Sequence, residues 1–396
     1  MERLRITMPP QVERIIGRLR QGGFEAYAVG GCVRDTLLGR QPGDWDITTS
    51  ARPEEVKGLF TRTVDTGIQH GTVTILMDHV GYEVTTYRID GEYEDGRHPK
   101  QVAFTSELVE DLKRRDFTIN AMAYSHETGI VDAFHGMEDL EKGVIRCVGD
   151  PLERFGEDAL RILRAIRFSA QLNFTIEGRT YGAITQIAPN MARVSKERIQ
   201  VELTKLLCSD HPEKICKVYE TGISVYISPA FHALPWEGFR VLPGLSAEKY
   251  VRWGAFLRLA GPEAAVQVLK DLKLDNDTVN RVRTLAVWAG KEIPAEAAGV
   301  RRAMSGMSPL VWDALLDLNG CGEAIRRLTA EIRERGDCLD LKHLAVSGQD
   351  LIEAGIKPGK EMGELLQRLL ELVLECPQKN ERGTLLKEAG VQGIKL

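Results

Sequence analysis

Two acidic side chains near the amino end, Asp44 and Asp46, have the spacing of a metal-binding pair. The segment DWDITTS (44–50) is rich in β-branched residues and predicts a strand, in which residues two apart project to the same face. Two carboxylates that close repel each other unless a cation lies beside them, and oxygen ligands suit Mg²⁺. The pair therefore predicts a magnesium site, although an exposed turn is an equally common setting for such a sequence.

A third carboxylate would complete a two-metal site, in which one ion activates an attacking hydroxyl and the other steadies leaving phosphates. Glu83 is the candidate, because YEVTTYR (82–88) predicts a strand next to residues 44–48. The alternative is an outward-facing acid on an edge strand.

Two glycines precede the acidic pair. EAYAVG (25–30) predicts a strand, and a helix is expected at 33–38, so Gly30 and Gly31 lie at the turn between them. Paired glycines let backbone N–H groups approach a bulky anion at the start of a helix, where Arg34 could reach a phosphate. A glycine pair at such a turn is more often only a turn, and the spacing fits neither a dinucleotide-binding nor a Walker motif.

Composition excludes several classes of protein. The chain has 396 residues, 43% hydrophobic and 28% charged, as expected for two to four globular domains. No apolar run is long enough for a membrane span and the start does not resemble a signal peptide, so we expect a cytoplasmic protein without a membrane partner. Seven cysteines without a CxxC and eight histidines without an HExxH argue against a disulfide scaffold and against a zinc site.

The chain changes character near Gly149-Asp150-Pro151. Before this point short strands alternate with short helices, and after it almost every segment has helical periodicity. PLERFGEDALRILRAIRFSAQL (151–172) predicts one amphipathic helix, and residues 151–207 are basic inside a protein of formal net charge −5. Weaker boundaries are expected near 208–212 and near Pro294.

Several motifs together resemble a known family. GGCVRDTLLG (30–39) with GDWDI (43–47) resembles the head of the polymerase-β-like nucleotidyltransferases, and more closely the bacterial class II tRNA nucleotidyltransferase and poly(A) polymerase family. Four further segments resemble motifs of this family, in the same order along the chain. RRDFTINAMAY (114–124) resembles the ribose-selecting motif, and residues 131–168 resemble the hinge and nucleotide-selecting motifs. SKERIQVELTKLL (195–207) resembles the last conserved helix, and residues 348–374 resemble the C-terminal tail.

The resemblance implies an α+β fold, with a small mixed β-sheet polymerase-β-like nucleotidyltransferase head followed by an all-helical neck, body and tail. We expect these at residues 1–148, 149–207, 208–293 and 294–396. It also implies that C, C and A are added to the 3′ end of tRNA from CTP and ATP without a nucleic-acid template. Mg²⁺ is the expected cofactor, and the sequence leaves the oligomeric state open.

Polar residues of RRDFTINAMAY are candidates for binding ribose. Asp116 and Asn120 are four residues apart and would share a helical face, where they could contact the 2′- and 3′-hydroxyls. The resemblance implies the same role and adds Arg115. The alternative is a helix cap by Asp116 and a surface amide at Asn120.

The segment EDALRILRAIRF (157–168) predicts a helix with apolar residues on one side and charged residues on the other. Such a charged side is usually only solvated surface. After a nucleotidyltransferase head, Asp158 and Arg161 could instead contact the Watson–Crick edge of a base. Cytosine and adenine both present an amino donor beside a ring acceptor, which suits an acid–arginine pair, whereas uracil and guanine reverse the order. Arg164 could steady the base or the triphosphate, and Arg167 completes the candidate nucleotide-binding set.

The segment GEYEDGRHPKQVAF (91–104) is long and polar for a connection between strands. It predicts either a disordered excursion or a mobile lid. In the family, a loop here assists the change from adding C to adding A, which makes Asp90, Asp95 and Arg97 its candidate working residues.

Other functions remain open from the sequence. Close alternatives are an enzyme that adds only A or only CC, or a poly(A) polymerase. A non-catalytic RNA-binding protein on a transferase scaffold is disfavoured by the intact acidic pair, and a small-molecule nucleotidyltransferase is disfavoured by the long helical part. Arginine pairs in that part, 281/283, 301/302 and 326/327, could follow an RNA backbone, although such pairs are usually solvated surface.

Overall fold

The computed structural model describes residues 5–91, 102–235 and 244–390. The chain forms two compact units, Met1–His232 and Ala233–Leu396. The finer division into four segments, with boundaries near 149, 208 and 294, stays a prediction. In the described residues no helix is both long and apolar enough to cross a membrane.

The first unit contains the strands of the described chain. These are β1 (Ala26–Val29), β2 (Ile47–Thr49), β3 (Thr63–Gly67), β4 (Thr72–Met77), β5 (Val80–Thr86), β6 (Arg88–Asp90), β7 (Val102–Phe104), β8 (Ala123–Ser125), β9 (Gly129–Val131), β10 (Val144–Ile145) and β11 (Thr175–Ile176).

Seven of these strands form one mixed sheet in the order β3-β4-β5-β2-β1-β8-β9. β2 and β5 are its parallel pair, with Ile47 opposite Val84, and the other neighbouring strands are antiparallel. β6 pairs with β7, and β10 pairs with β11. The expected small mixed sheet is confirmed, and so is the expectation that the strand of Glu83 neighbours the segment after Asp46.

Helices of the first unit cover this sheet and continue beyond it. They are α1 (Pro10–Gln21), α2 (Gly31–Leu37), α3 (Pro53–Leu59), α4 (Leu108–Lys113), α5 (Gly136–Lys142), α6 (Pro151–Glu157), α7 (Leu160–Leu172), α8 (Gly178–Ile187), α9 (Lys196–Leu207), α10 (Cys216–Glu220), α11 (Ser224–Ile227) and α12 (Pro229–His232). The apolar side of α1 is fully buried against β1, β2, β4 and β5, which gives the head its main core.

The second unit is helical throughout its described residues. Its helices are α13 (Lys249–Leu257), α14 (Pro262–Asp271), α15 (Asn276–Trp288), α16 (Ala297–Met304), α17 (Pro309–Leu318), α18 (Glu323–Arg335), α19 (Gly348–Glu353), α20 (Lys360–Glu375) and α21 (Arg382–Glu388). Trp312 and Ile332 anchor one core, and Leu351 and Val373 anchor a second.

Three local expectations are wrong. Residues 151–172 form two helices, because the chain is extended at Asp158 (φ −144°, ψ 102°) between α6 and α7. RRDFTIN is not α-helical, since only a short 3₁₀ helix forms at Thr118–Asn120. The strand predicted at 44–50 begins at Ile47, so Asp44 and Asp46 lie in the segment just before it. In each case tertiary contacts override the local periodicity.

Candidate active site

The acidic pair precedes β2 at the centre of the sheet. The backbone carbonyl of Asp46 accepts a hydrogen bond of 3.0 Å from the N–H of Val29 in β1, which fixes the segment in register. Trp45 is partly buried against the head core, while Asp44 and Asp46 are exposed. The alternation expected from the sequence is therefore present, although the strand itself starts one residue later.

Glu83 lies beside the acidic pair on the neighbouring strand. Ile47 and Val84 are paired and buried, and Asp46 and Glu83 each precede them by one residue. Although Asp46 as a whole residue is exposed, its carboxyl group lies among enough protein atoms to lose part of its solvent. This loss, followed by repulsion from Asp44 and, to a smaller extent, Glu83, raises the pKa of Asp46 to about 6, while Arg115 opposes the rise. Asp46 is therefore close enough to Asp44 and to Glu83 to be repelled by both.

Within the described residues, no three His, Cys, Asp or Glu side chains are grouped tightly enough to hold a metal ion. The repulsion felt by Asp46 is nevertheless the condition that a divalent cation relieves. Asp44 and Asp46 thus fit a divalent metal ion by charge and by ligand type. The assignment of Glu83 as a third ligand stays a prediction.

The glycine turn brings a guanidinium close to the backbone. Gly30 has φ +82° and precedes the first residue of α2. A Cβ atom at Gly30 would lie 2.9 Å from Nη1 of Arg115. Nε of Arg115 is buried and has no hydrogen-bond partner among the residues that the structure describes, and its Nη2 contacts Asp111 at a long 3.4 Å. Arg115 therefore has donors available to an anion placed against the Gly30-Gly31 turn.

Arg34, Asn120 and Asp116 form a buried chain of hydrogen bonds. Nη1 of Arg34 donates to Oδ1 of Asn120 at 2.6 Å, and Nδ2 of Asn120 donates to Oδ1 of Asp116 at 3.1 Å. Each of the three residues is less than a tenth exposed. The expected meeting of Asp116 and Asn120 is present, but it comes from the turn around Thr118–Asn120 and not from an α-helix.

Arg164 of α7 completes the pairing of Asp116. Its Nε and Nη2 atoms lie 2.8 and 2.6 Å from Oδ2 of Asp116. Burial alone would raise the pKa of this carboxyl, but the charge of Arg164 and the hydrogen bond from Asn120 outweigh it and lower the pKa to about 2. Asp116 is therefore a fixed carboxylate at any ordinary pH.

Three of the predicted arginines pack on the ring of Phe168. The guanidinium carbons of Arg34, Arg164 and Arg167 lie 4.9, 5.4 and 3.9 Å from the centre of its ring. Such contacts restrain a guanidinium without using its N–H groups. Arg167 is also bound by Glu202 of α9 at 2.5 Å, so it is held inside the protein between two partners.

Asp158 is held at the break between α6 and α7. Oδ2 accepts from Nη2 of Arg198 at 2.7 Å, and Oδ1 accepts from Nη1 of Arg198 at 3.3 Å and from the N–H of Leu160 at 3.0 Å. The carboxylate thus begins α7 and pairs with α9. Asp158, the predicted base-reading residue, therefore lies at the break between two helices and not on a helical face.

Arg161 lies one turn into α7. Its Nη1 donates to Oε2 of Glu157 at 2.5 Å and to the carbonyl of Arg154 at 3.0 Å, and its Nη2 donates to the carbonyl of Arg114 at 3.3 Å. The guanidinium is therefore oriented by its neighbours rather than by Asp158. The structure brings the two predicted base readers to the same break without pairing their side chains.

Of the three residues expected in a lid, two fall outside the described residues: Asp95 and Arg97. Asp90 ends β6, where its backbone pairs with Val102 of β7, and its side chain is not described. The roles of all three stay predictions.

Sequence reasoning missed several residues of the site. Arg198 and Glu202 lie on α9, far along the chain from the residues they bind. From the sequence they stand out only as members of the segment that resembles the family's last conserved helix. Asp111, fully buried, binds Thr48 of β2 and Arg114. Partners of buried arginines follow from tertiary structure, and no spacing along the chain indicates them.

The arginine pairs of the second unit are mostly neutralised. Arg301 is buried and donates to Asp337 and to the carbonyls of Leu374 and Glu375 at the end of α20. Arg281 pairs with Asp277, and Arg326 with Asp317. A path for an RNA backbone along these pairs stays a prediction. The buried contacts of Arg301 account for this residue by linking α16 to the end of α20.

Three family models match the chain in order. The poly A polymerase head domain matches residues 26–146, an RNA and SrmB binding site of polymerase A matches residues 173–234, and tRNA nucleotidyltransferase domain 2 matches residues 247–389. Together they span both compact units.

Relatives are similar over almost the full chain. The CCA-adding enzyme of Limosilactobacillus fermentum is 40% identical, covering 97% of this chain and 98% of that protein, and the CCA-adding enzyme of Leuconostoc mesenteroides is 38% identical, covering 98% of each. The crystal structure of the Bacillus stearothermophilus CCA-adding enzyme in complex with CTP is 33% identical, with a TM-score of 0.76 over 96% of this chain and 98% of that chain. The chain therefore belongs to the family of CCA-adding enzymes, which are nucleotidyltransferases.

Proposed function

We propose that this chain adds C, C and A in turn to the 3′ end of tRNA, using CTP and ATP and no nucleic-acid template. The 3′-hydroxyl oxygen would attack the α-phosphorus, the bond to the β-phosphate oxygen would break, and pyrophosphate would leave. The observation that supports this best is that Arg115 joins two sites: it acts on the charge of Asp46 and contacts the Gly30 turn. One nucleotide could thus contact both the acidic pair and the buried polar chain of Asp116 and Asn120.

Asp44 and Asp46 are proposed to hold Mg²⁺, with Glu83 as the third ligand. When bound there, the ion would neutralise phosphate charge and lower the pKa of the attacking hydroxyl. The chain's own cations at this point are Arg115 and Arg34, which bind and orient the triphosphate against the Gly30-Gly31 turn. The unpartnered Nε of Arg115 supports this role, because a buried donor without an acceptor is costly unless a ligand supplies one.

Asn120 is the residue best placed to read the ribose. Its Oδ1 atom accepts from Arg34, and one N–H of its amide donates to Asp116. The second N–H remains for a ribose hydroxyl oxygen, while Asp116 fixes the orientation of the amide. A 2′-hydroxyl would satisfy that donor, and deoxyribonucleotides lack this group, which would favour ribonucleotides.

Asp158 and Arg161 are proposed to read the base. Oδ1 of Asp158 is occupied by Leu160 and Arg198, whereas Oδ2 has one described partner and can accept from an exocyclic amino group. Arg161 would donate to the adjacent ring nitrogen. Cytosine and adenine fit this order of acceptor and donor, and uracil would place a carbonyl oxygen against a carboxylate.

The decisive experiment supplies tRNA ending at the residue before CCA, and tRNA ending in CC, each with labelled CTP or ATP. We expect two C additions to the first and one A addition to the second, and no further growth. Addition of A alone, or of C alone, would point to the partial enzymes considered above. Unlimited addition of A would make the chain a poly(A) polymerase. Omitting Mg²⁺ from parallel reactions tests whether addition requires this ion. The cytoplasmic location expected from the sequence stays a prediction.

A further inference from the structure

A cleft of about 480 Å³ lies in the first unit between α2, α7 and the end of α9. Four cationic side chains line it, whereas only two carboxylates do. The cations are Arg34, Arg40, Arg167 and Lys205, and the carboxylates are Asp35 and Asp210. Arg34 is paired with Asp35 and Arg167 with Glu202, so the remaining charges, Arg40 and Lys205 against Asp210, give the cleft a net positive charge.

The two inner arginines are fixed. Arg34 and Arg167 pack on the ring of Phe168, Arg34 is bound to Asn120, and Arg167 is bound to Glu202 and to Oε1 of Gln171 at 2.6 Å. A guanidinium restrained in this way keeps its direction when a ligand arrives, which reduces the entropy lost on binding.

The two outer cations are exposed and retain donors. Nη1 of Arg40 donates to the backbone carbonyl of Gln171 at 2.9 Å, which holds the arginine at the rim of the cleft. The side chain of Lys205 is exposed and has no hydrogen-bond or ion-pair partner among the described residues, and its ammonium carries three donors. Fixed inner donors with exposed outer cations make a site for a phosphate group.

The cleft is separate from the acidic pair. None of Asp44, Asp46, Glu83 or Arg115 lines it, and neither Arg40 nor Lys205 belongs to the nucleotide site proposed above. It nevertheless adjoins the nucleotide site, because Arg34 lines the cleft and also binds Asn120. The chemistry of the cleft is suited to phosphate, which could come from an RNA strand or from free pyrophosphate.

We propose that this cleft binds a phosphodiester group of the RNA strand that is being extended, through Arg40 and Lys205 at its rim. The proposal rests on the proposed function, since it assumes an RNA strand that ends at the acidic pair. Because the nucleotide site is filled by the incoming triphosphate, the RNA must approach from a neighbouring surface, and a cationic cleft that shares Arg34 with the nucleotide site meets this need.

The test compares the double variant Arg40→Ala/Lys205→Ala with Lys57→Ala/Lys142→Ala, which removes two exposed cations elsewhere in the head. The dissociation constant for tRNA lacking CCA is measured by filter binding over a range of salt concentrations, and KM for CTP is measured separately. We expect the cleft variant to bind tRNA about tenfold more weakly than the control variant. The slope of log K against log salt should fall by roughly 0.7 for each cation, as for a single strand.

Equal tRNA affinity and equal salt slope in the two double variants would overturn the proposal. A change confined to KM for CTP or to inhibition by pyrophosphate would also overturn it, and would assign the cleft to pyrophosphate. Failure of the proposed function is seen separately, as a wild-type chain that binds tRNA but incorporates no nucleotide. Lys205→Glu provides a second variant with the opposite charge and should weaken tRNA binding further than Lys205→Ala does.

Discussion

Arg198 and Asp158 are joined by two hydrogen bonds, 2.7 Å from Nη2 to Oδ2 and 3.3 Å from Nη1 to Oδ1. Both side chains are mostly buried. The pair links α9 to the break before α7, so a residue distant in sequence sets the direction of the carboxylate that we propose reads the base. We therefore expect Arg198 to act as a positioning residue in nucleotide selection.

Loss of either member of this pair should relax the choice of nucleotide. Asp158→Ala removes the acceptor for the amino group, and Arg198→Ala lets the carboxylate turn away. We expect both variants to incorporate UTP and GTP at a raised fraction in competition among the four nucleotides. Arg193→Ala, which removes an exposed cation just before α9, is the control. Unaltered selectivity in Asp158→Ala would contradict the base-reading role.

Replacement of the acidic pair should abolish incorporation and leave tRNA binding intact. In Asp44→Ala/Asp46→Ala no carboxylate of the pair remains to hold a cation, and without it the phosphate charge is not neutralised. We expect the rate of CTP incorporation to fall by at least about 10³-fold, as for loss of an essential electrostatic group. Asp65→Ala, an exposed acid on β3, is the matched control. Turnover near the parent rate would refute the metal assignment.

Gly30→Ala should damage nucleotide binding more than its backbone strain predicts. The new Cβ atom would lie 2.9 Å from Nη1 of Arg115, so the guanidinium would have to move. Gly39→Ala has a similar strained φ, +69° against +82°, but no heavy atom within 4 Å. We expect KM for CTP to rise in Gly30→Ala only, with a comparable loss of thermal stability in both. Equal KM values would show that Arg115 does not bind the nucleotide.

Asp116 should contribute stability that acid removes. The pKa of Asp116 is lowered in the folded chain to about 2 from an ordinary value of 3.8. Its contribution is therefore complete above about pH 5 and is lost as the pH falls through 4 towards 2. Between pH 5 and pH 3 the wild type should lose about 1 kcal/mol of unfolding free energy that Asp116→Asn does not lose. Parallel urea titrations at the two pH values measure this difference, and equal losses would contradict the pairing with Arg164.

Arg301 and Arg302 are adjacent but should differ sharply. Arg301→Ala leaves two carbonyls of α20 without their donor and leaves the buried Asp337 carboxylate with Arg335 alone, which should cost about 3 kcal/mol of stability. Arg302 is exposed and pairs with Glu371 and Glu375, so Arg302→Ala should cost less than about 1 kcal/mol. Thermal melts compare the two. Weaker tRNA binding with an unchanged melting temperature in Arg301→Ala would instead support the RNA role suggested by the sequence.

Sequence reasoning identified the elements of the fold better than the contacts of the site. The strand of Glu83 and the helical character of the chain after residue 149 follow from periodicity, because burial of one side imposes it on the sequence. The small mixed sheet was expected from the family resemblance. The break at Asp158 was missed because the charged and apolar positions of α6 and α7 happen to continue one helical pattern. The partners Arg198 and Glu202 could not be predicted, since an ion pair across forty residues depends on how helices pack.

The end of α6 at Asp158 has a consequence for altering this protein in the laboratory. The same carboxylate accepts the N–H of Leu160 at the start of α7, so any replacement would alter both the proposed contact with the base and the start of the helix that carries Arg161, Arg164 and Arg167. A library selected for new nucleotide preference will therefore favour Asn, Ser or Thr at this position over side chains that cannot accept that N–H, however well those would suit the new base.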